Sequence, residues 1–332
     1  MSALAYPGGA EEIGKTAQSK VVIVNQSDSA GALAGSVLAR ANSGSLLLSP
    51  SGGLTKALRD EIVRLKPAGA YLIGGQGALS PQVGRDLAAA GVKGKITRLA
   101  GATPADTASA VANAVEAGGP QSKFSKGPTV APGAVIVNPS SSDAGAGAAL
   151  GAALRYPVLF ANSSSLPAAT KDALQSSGIH SALVVGTPAE IGANVVKALP
   201  SAKRIGDADA SATSAAVTRE LVARGMPMNV VYVTDLGSAM DGAVIGAAAA
   251  RLGGVVVVNH GGDATAAAAT MRQLHLTAMV DRVVVAHSST GSSVPWALIG
   301  IFVALGLIGI VLLAIQGGRR RQARRPVGRT LE

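Results

Sequence analysis

One unit of short apolar runs alternating with helical stretches occurs three times in this 332-residue chain, so any fold for it must also be built three times. The units open with VVIVN at Val21, AVIVN at Ala134 and VVYVT at Val230. A small-residue segment carrying one acid follows each run, at Asp28, Asp143 and Asp241. Second apolar runs come next: SLLLS from Ser45, PVLFA from Pro157 and VVVVN from Val255. A stretch of helical period then leads to a third run, AYLIGG, SALVVGT or DRVVVAH. The period is clearest in LTKALRDEIVRLK, where Leu54, Leu58, Ile62 and Leu65 share a face. Spacing repeats as well, since Leu46 to Tyr71, Val158 to Leu183 and Val256 to Val283 agree within two residues.

After the third run, two units continue with a helix and a short fourth strand. These are SPQVGRDLAAAG then KITRLAG, and TPAEIGANVVKAL then AKRIG. Ser80 before Pro81 is a good helix start, an N-cap followed by proline in the first turn. Continuous apolar strands alternating with helices predict mostly parallel sheets covered on both faces. The expected architecture is α/β: three small parallel-sheet lobes in tandem over 1–115, 116–222 and 223–290. Lobes this small bury too little alone, so they are expected to pack on one another. The third unit reads as cut short, and the ALAY segment near the N-terminus is expected to supply its missing edge strand and close a ring.

Hydrophobic residues make up 48% of the chain, much of it Ala and Gly, which favours close helix packing over a bulky core. Aromatics are 2%, which argues against stacking platforms for sugars or single-stranded nucleic acid. No cysteine occurs, excluding disulfides, thiolate metal sites and thiol nucleophiles. The net charge is +10, but RRRQARRPVGRTLE at the C-terminus supplies half of that excess. The rest of the chain is mildly basic, compatible with an anionic partner without requiring one.

Val294 to Ile315, VPWALIGIFVALGLIGIVLLAI, runs 22 residues without a charge, long enough as a helix to cross a bilayer. Trp296 stands at an interfacial position and arginines follow from Arg319. A transmembrane helix over 294–315 with a basic cytoplasmic tail over 316–332 is therefore expected, leaving the large domain outside. MSALAYPGGAEEIGK has neither a basic start nor an apolar stretch for export, so a signal missing from this chain is expected. The alternative is a tail-anchored protein facing inward.

A second signature joins the units. Arg98 and Thr107 stand nine apart in RLAGATPADT, as do Arg204 and Thr213 in RIGDADASAT. GGAEEIGKTA near the N-terminus places Thr16 in the Thr position without the Arg. Each Thr is expected to cap the helix leading into the next unit. With AYLIGG at 70–75 and RLAGATPADTA at 98–108, the chain resembles the cell wall-binding repeat 2 family, in three degenerate copies over about residues 8–290. That resemblance implies non-covalent attachment to the envelope through anionic secondary wall polymers, with three Rossmann- or toprim-like lobes in pseudo-threefold arrangement. The family pattern has an aromatic and an acid before the Thr-Ala. Here Pro104, Ala105 and Asp106 stand there, and Ala210 to Ala212 in the next copy.

The loop GGQGALS after the third run lacks the last glycine of a dinucleotide fingerprint, and KITRLAG ends without a ribose-binding acid. It reads as a structural turn rather than a phosphate cradle. Asp28, Asp143 and Asp241 fit helix capping, or ligand acceptors at the carboxyl ends of strands. Arg98 with Lys93 and Lys95, and Arg204 with Lys203, form two basic clusters near an inter-unit junction. They fit solvated charge or contact with an anionic polymer. The four histidines share no metal-ligand spacing, and the Ser-rich patches lack a nucleophile elbow. No D-x-D stands in a loop where a toprim magnesium site would need it.

The expected function is a membrane-anchored, outward-facing, non-catalytic protein binding anionic wall polymer through Asp28, Asp143, Asp241, Lys93, Lys95, Arg98, Lys203, Arg204, Thr16, Thr107 and Thr213. Membrane lipid is the second expected partner, through the C-terminal helix. No cofactor, metal or nucleic acid is expected. A tethered receptor for a phosphate- or sugar-containing small ligand, or a scaffold that has lost ligand binding, are the alternatives.

Overall fold

The computed structural model describes residues 19–116, 133–206 and 209–226, and from there 230–235, 239–252, 254–259, 272, 282–288 and 310–315. The first unit runs β1 (Lys20–Asn25), α1 (Ser29–Ala41), β2 (Leu46–Ser49), α2 (Lys56–Leu65), β3 (Gly69–Ile73), α3 (Pro81–Ala89) and β4 (Ile96–Leu99). A linking helix, α4 (Pro104–Glu116), leads onward. The second unit repeats the order with β5 (Gly133–Val137), α5 (Ala144–Leu154), β6 (Val158–Phe160), α6 (Ala168–Ser176), β7 (Ser181–Val185), α7 (Ala193–Lys197) and β8 (Ala202–Ile205). After α8 (Ala210–Ala223), the third contributes β9 (Val230–Asp235), α9 (Ala239–Leu252), β10 (Gly254–Asn259), β11 (Arg282–Ser288) and β12 (Ile310–Ile315).

Each unit forms one parallel four-stranded sheet with its strands in the order second, first, third, fourth. The expected spacing is visible in the register of the first two units, where Val22 lies between Leu46 and Tyr71 and Val135 between Val158 and Leu183. In the third, Tyr232 lies between Val256 and Val284, one residue beyond the expected Val283. Unbroken apolar runs such as Val21–Val24 and Ala134–Val137 are buried throughout, as strands covered on both faces must be.

The lobes meet through the first helix of each unit: α1, α5 and α9 each touch the other two. Every residue of α5, AGAGAALGAAL, is buried, which fits a helix apolar all round and enclosed on all sides. Small side chains let the backbones close up. A Cβ placed on Gly242 would stand 2.7 Å from the Gly145 Cα, and one on Gly246 would stand 2.6 Å from the Ala149 Cα. The contacts advance together along both helices, so α5 and α9 run in the same direction. Ser36 and Val37 of α1 meet Ala148 and Gly151 of α5 in the same sense.

The two linking helices knit neighbouring lobes. Helix α4 packs on α1 and also on α6 and β6 of the second lobe, burying Val111, Ala112 and Val115. Helix α8 packs on α5 and on β10 of the third lobe. One apolar cluster therefore contains residues of all three units, with a satellite beneath α2 and α3.

The expected membrane segment is described only at its end, and there it differs. Ile310–Ile315 is not the end of a membrane helix but strand β12, parallel to β11, and it supplies the fourth strand that the third unit seemed to lack. The physical reason is an ambiguity of pattern: IVLLAI has the uncharged, branched character shared by membrane segments and doubly covered parallel strands. Residues 294–309 lie outside the described residues, and no helix among the described residues is long and apolar enough to cross a membrane. The basic tail and the ALAY segment also lie outside the described residues, while the edge of β11 that ALAY was expected to cover is taken by β12.

Candidate functional site

With this strand order, chain direction across the sheet reverses between the first and third strands, and their carboxyl ends open a crevice where α/β sheets usually bind ligands. Asn25 and Asn138 end the first strands there and play the same part. Asn25 Nδ2 donates to the Ala78 carbonyl at 2.5 Å and Asn138 Nδ2 to the Glu190 carbonyl at 3.0 Å. Their Oδ1 atoms accept from the Ser27 and Ser140 amides. Each asparagine thus pins the loop after the third strand to the start of the first helix. The residues were visible in VVIVN and AVIVN, but their shared position carried no chemistry until the loop was seen.

The two arginines hold the same loop from its other side. Arg98 donates to the carbonyls of Gly74 at 2.7 Å, Gly75 at 3.0 Å and Leu79 at 2.8 Å. Arg204 donates to the equivalent carbonyls, Gly186 at 2.6 Å and Ile191. Burial lowers the Arg204 pKa and the Glu190 charge works against that, but a guanidinium stays charged in either case. Both forks are thus engaged with backbone. In the first lobe the Gly74 amide donates to Leu99, and the Ala78 and Leu79 amides return to Gly75. The stretch is a clamped turn, as its sequence suggested, and Gly74 at φ +101° supplies the left-handed conformation it requires.

The three acids all stand at the start of the central helices, but they differ. Asp28 caps α1, accepting from the Gly31 amide at 2.8 Å. Asp241 lies in the first turn of α9 and is half-buried. Asp143 occupies the N-cap of α5 without capping it, is 1% exposed, and neither of its carboxylate oxygens completes a hydrogen bond. Burial first, and then the Glu190 charge beside it, push its pKa up to about 6. Glu190, which the sequence reading passed over, has Ala78 as its counterpart in the first lobe. It accepts from the Thr187 amide at 2.7 Å.

The threonines do not cap the linking helices as expected. Thr103 and Asp106 form a reciprocal cap on α4, and Asp209 caps α8 through the Ala212 amide. Thr107 instead accepts from the Gly101 amide at 3.0 Å, and Thr213 is fully buried beside Asp143. A capping residue must sit just before the first turn, and both threonines lie one turn too far along. Thr16 lies outside the described residues.

Among the lysines, Lys93 and Lys95 are exposed at the entry to β4. Lys203 is paired with Glu220 of α8 at 2.6 Å, and Arg224 holds the other oxygen of that acid at 2.8 Å. The basic clusters therefore divide into exposed lysines and structural pairs. Among the described residues no group of three or more His, Asp or Glu side chains is placed to hold a metal ion.

This geometry has known counterparts. The model of the family described as Cell wall binding domain 2 (CWB2) matches residues 9–84 and 98–196. N-acetylmuramoyl-L-alanine amidase LytC of Bacillus subtilis (strain 168) is 30% identical over 218 residues, covering 65% of this chain and 40% of LytC. Two solved structures, Cwp6 and Cwp8 from Clostridium difficile, superpose with a TM-score of 0.68 each, at 18% and 19% identity. They share the fold over 92% and 90% of this chain, which spans 43% and 50% of theirs.

Proposed function

The chain belongs to the cell wall binding domain 2 family, and from that premise we propose that it is a non-catalytic protein held to the cell wall by anionic wall polymer. The observation that carries this reading is the duplicated strand-end arrangement. Lobes 1 and 2 hold the loop over their strand ends with equivalent asparagine and arginine contacts, on a frame whose three central helices leave little room for relative movement. Repeated weak sites on a stiff frame combine by avidity, so a polymer long enough to reach two or three of them is held far more tightly than a short fragment. Arg98 and Arg204 shape these strand ends from within, while the exposed Lys93 and Lys95 precede β4 at the opposite, amino end of the sheet and do not line them.

The amidase activity in the name of LytC belongs to LytC, of which this chain spans 40%. For this chain we propose binding without cleavage, with the large domain facing outward at the envelope. Attachment to lipid is a separate proposal and rests on the apolar run over 294–309, because residues 310–315 form β12. Carbonate washing of membranes tests the lipid anchor, because a protein held only by the wall is released from wall-free membranes.

Wall binding is tested by sedimenting the full chain with purified cell walls across a range of salt. Retention at low salt that weakens as salt rises is expected, together with loss of retention on walls stripped of anionic polymer and no release of soluble wall fragments. Failure to sediment with intact walls at low salt would overturn the reading.

A further inference from the structure

We propose that Asp143 and Glu190 share one proton in the folded protein, and that its loss loosens the joint between the second and third lobes. This goes beyond wall binding and does not depend on it. Asp143 is 1% exposed, and both of its carboxylate oxygens are left without a hydrogen bond. A buried carboxylate in that condition is costly, and a like charge beside it makes it more so. The first lobe acts as an internal comparison. Asp28, at the same place, has Ala78 rather than an acid across the crevice and spends its carboxylate on the Gly31 amide. In the second lobe the cap is forgone and the carboxyl stands against Glu190.

Among the described residues no full counter-charge acts on the pair. Arg204 approaches Glu190 from β8, but its terminal nitrogens are committed to the Gly186 and Ile191 carbonyls. Thr213 of α8 and Ser142 bring neutral hydroxyls that favour the ionised form, and burial with Glu190 outweighs them. Helix α9, with Asp241 in its first turn, meets α5 nearby through Ala239 and Gly242. A single proton held between the two carboxyls removes the repulsion and gives one of them a donor. Thr213 places this pair against the first turn of α8, the helix that carries the chain from lobe 2 onto β10 of lobe 3. Ionisation of both acids therefore drives charge into the seam between these lobes.

The sign follows from linkage. The folded state holds the Asp143 proton up to about pH 6, whereas the unfolded chain releases it near the ordinary value of 3.8. The stabilisation is full below that lower value and is lost as pH rises through 6. The test is thermal unfolding of the full chain, with hydrogen exchange of the α8 amides, at about pH 5 and about pH 7.5. At the higher pH the expected results are a lower melting temperature, α8 exchange that rises by more than the pH dependence of the intrinsic rate, and a folding equilibrium weaker by on the order of tenfold.

Glu190→Gln, and separately Glu190→Ala to copy the first lobe, should raise stability at the higher pH and narrow the difference, leaving the part that burial of Asp143 alone imposes. Either variant suffices if the other fails to fold. An unchanged pH difference in a folded variant would overturn the proposal. So would recovery of the parent at the higher pH on adding calcium, reversed by chelator, which would make the pair a cation site instead.

Discussion

Gly145 and Gly242 meet backbone to backbone: a Cβ on Gly242 would stand 2.7 Å from the Gly145 Cα and 2.9 Å from its carbonyl carbon. Neither neighbour is a side chain that can swing aside, so Gly242→Val should force α5 and α9 apart. A loss of about 1–3 kcal/mol is expected, read as a fall in melting temperature. Gly84 is the control, because a Cβ there meets nothing within 4 Å inside helix α3. Gly84→Ala should stabilise by about 0.5–1 kcal/mol.

Arg98 is placed as a structural clamp, so removing it should cost stability whether or not a ligand is present. Arg98→Gln leaves the Gly74, Gly75 and Leu79 carbonyls without their charged donor. A loss of about 2–3 kcal/mol in denaturant unfolding is expected. An unchanged denaturation midpoint with diminished wall retention would instead place the guanidinium on the polymer.

Glu220 carries a pH dependence opposite to that of Asp143. Burial raises its pKa, but hydrogen bonds from Lys203 and Arg224 outweigh this and hold it below its ordinary 4.5. Its contribution is present above the unfolded value and is lost as pH falls through the folded one. Glu220→Gln should therefore destabilise by about 1–2 kcal/mol near neutrality, discounted for the exposure of Lys203, and less in strong acid. Chemical denaturation across a pH series separates the two acids, since the Asp143 contribution is lost as pH rises from 3.8 through about 6 and the Glu220 contribution as pH falls below 4.5.

Ending the chain at residue 292, just before the apolar run, should damage the third lobe. Without β12 the β11 edge is unpaired and open to pairing with other chains. A lower melting temperature and concentration-dependent association are expected, measured by scanning calorimetry and light scattering. If 1–292 unfolded at the same temperature as the full chain and stayed monomeric, the strand would have no role in the lobe.

Much of this fold was legible because repetition supplies its own check. A run such as VVIVN is ambiguous alone, but three runs followed by the same interval to a second and third run fix strands and their neighbours together. The fourth strand of the last unit broke that logic, since IVLLAI sits inside a longer uncharged run and length outvoted periodicity. In the crevice, the acids were found by their spacing, whereas the asparagines and Glu190 were not. Their meaning depends on the loop after the third strand folding back over the first, a contact spanning 52 residues in the case of Asn138. The arginines were found for the right position and the wrong partner, because a sequence shows a cation but not the backbone carbonyls gathered around it.

The linking helices make this an indivisible object. Because α4 lies on β6 and α8 on β10, each boundary between repeats runs through the hydrophobic interior rather than along a tether. A cut between repeats would strip a neighbour of part of its cover, and an isolated copy would present the bare flank of its central helix to water. Such a body cannot lengthen or shorten by one repeat as a beaded chain does. Its descendants must gain or lose affinity by altering surfaces within a set of three.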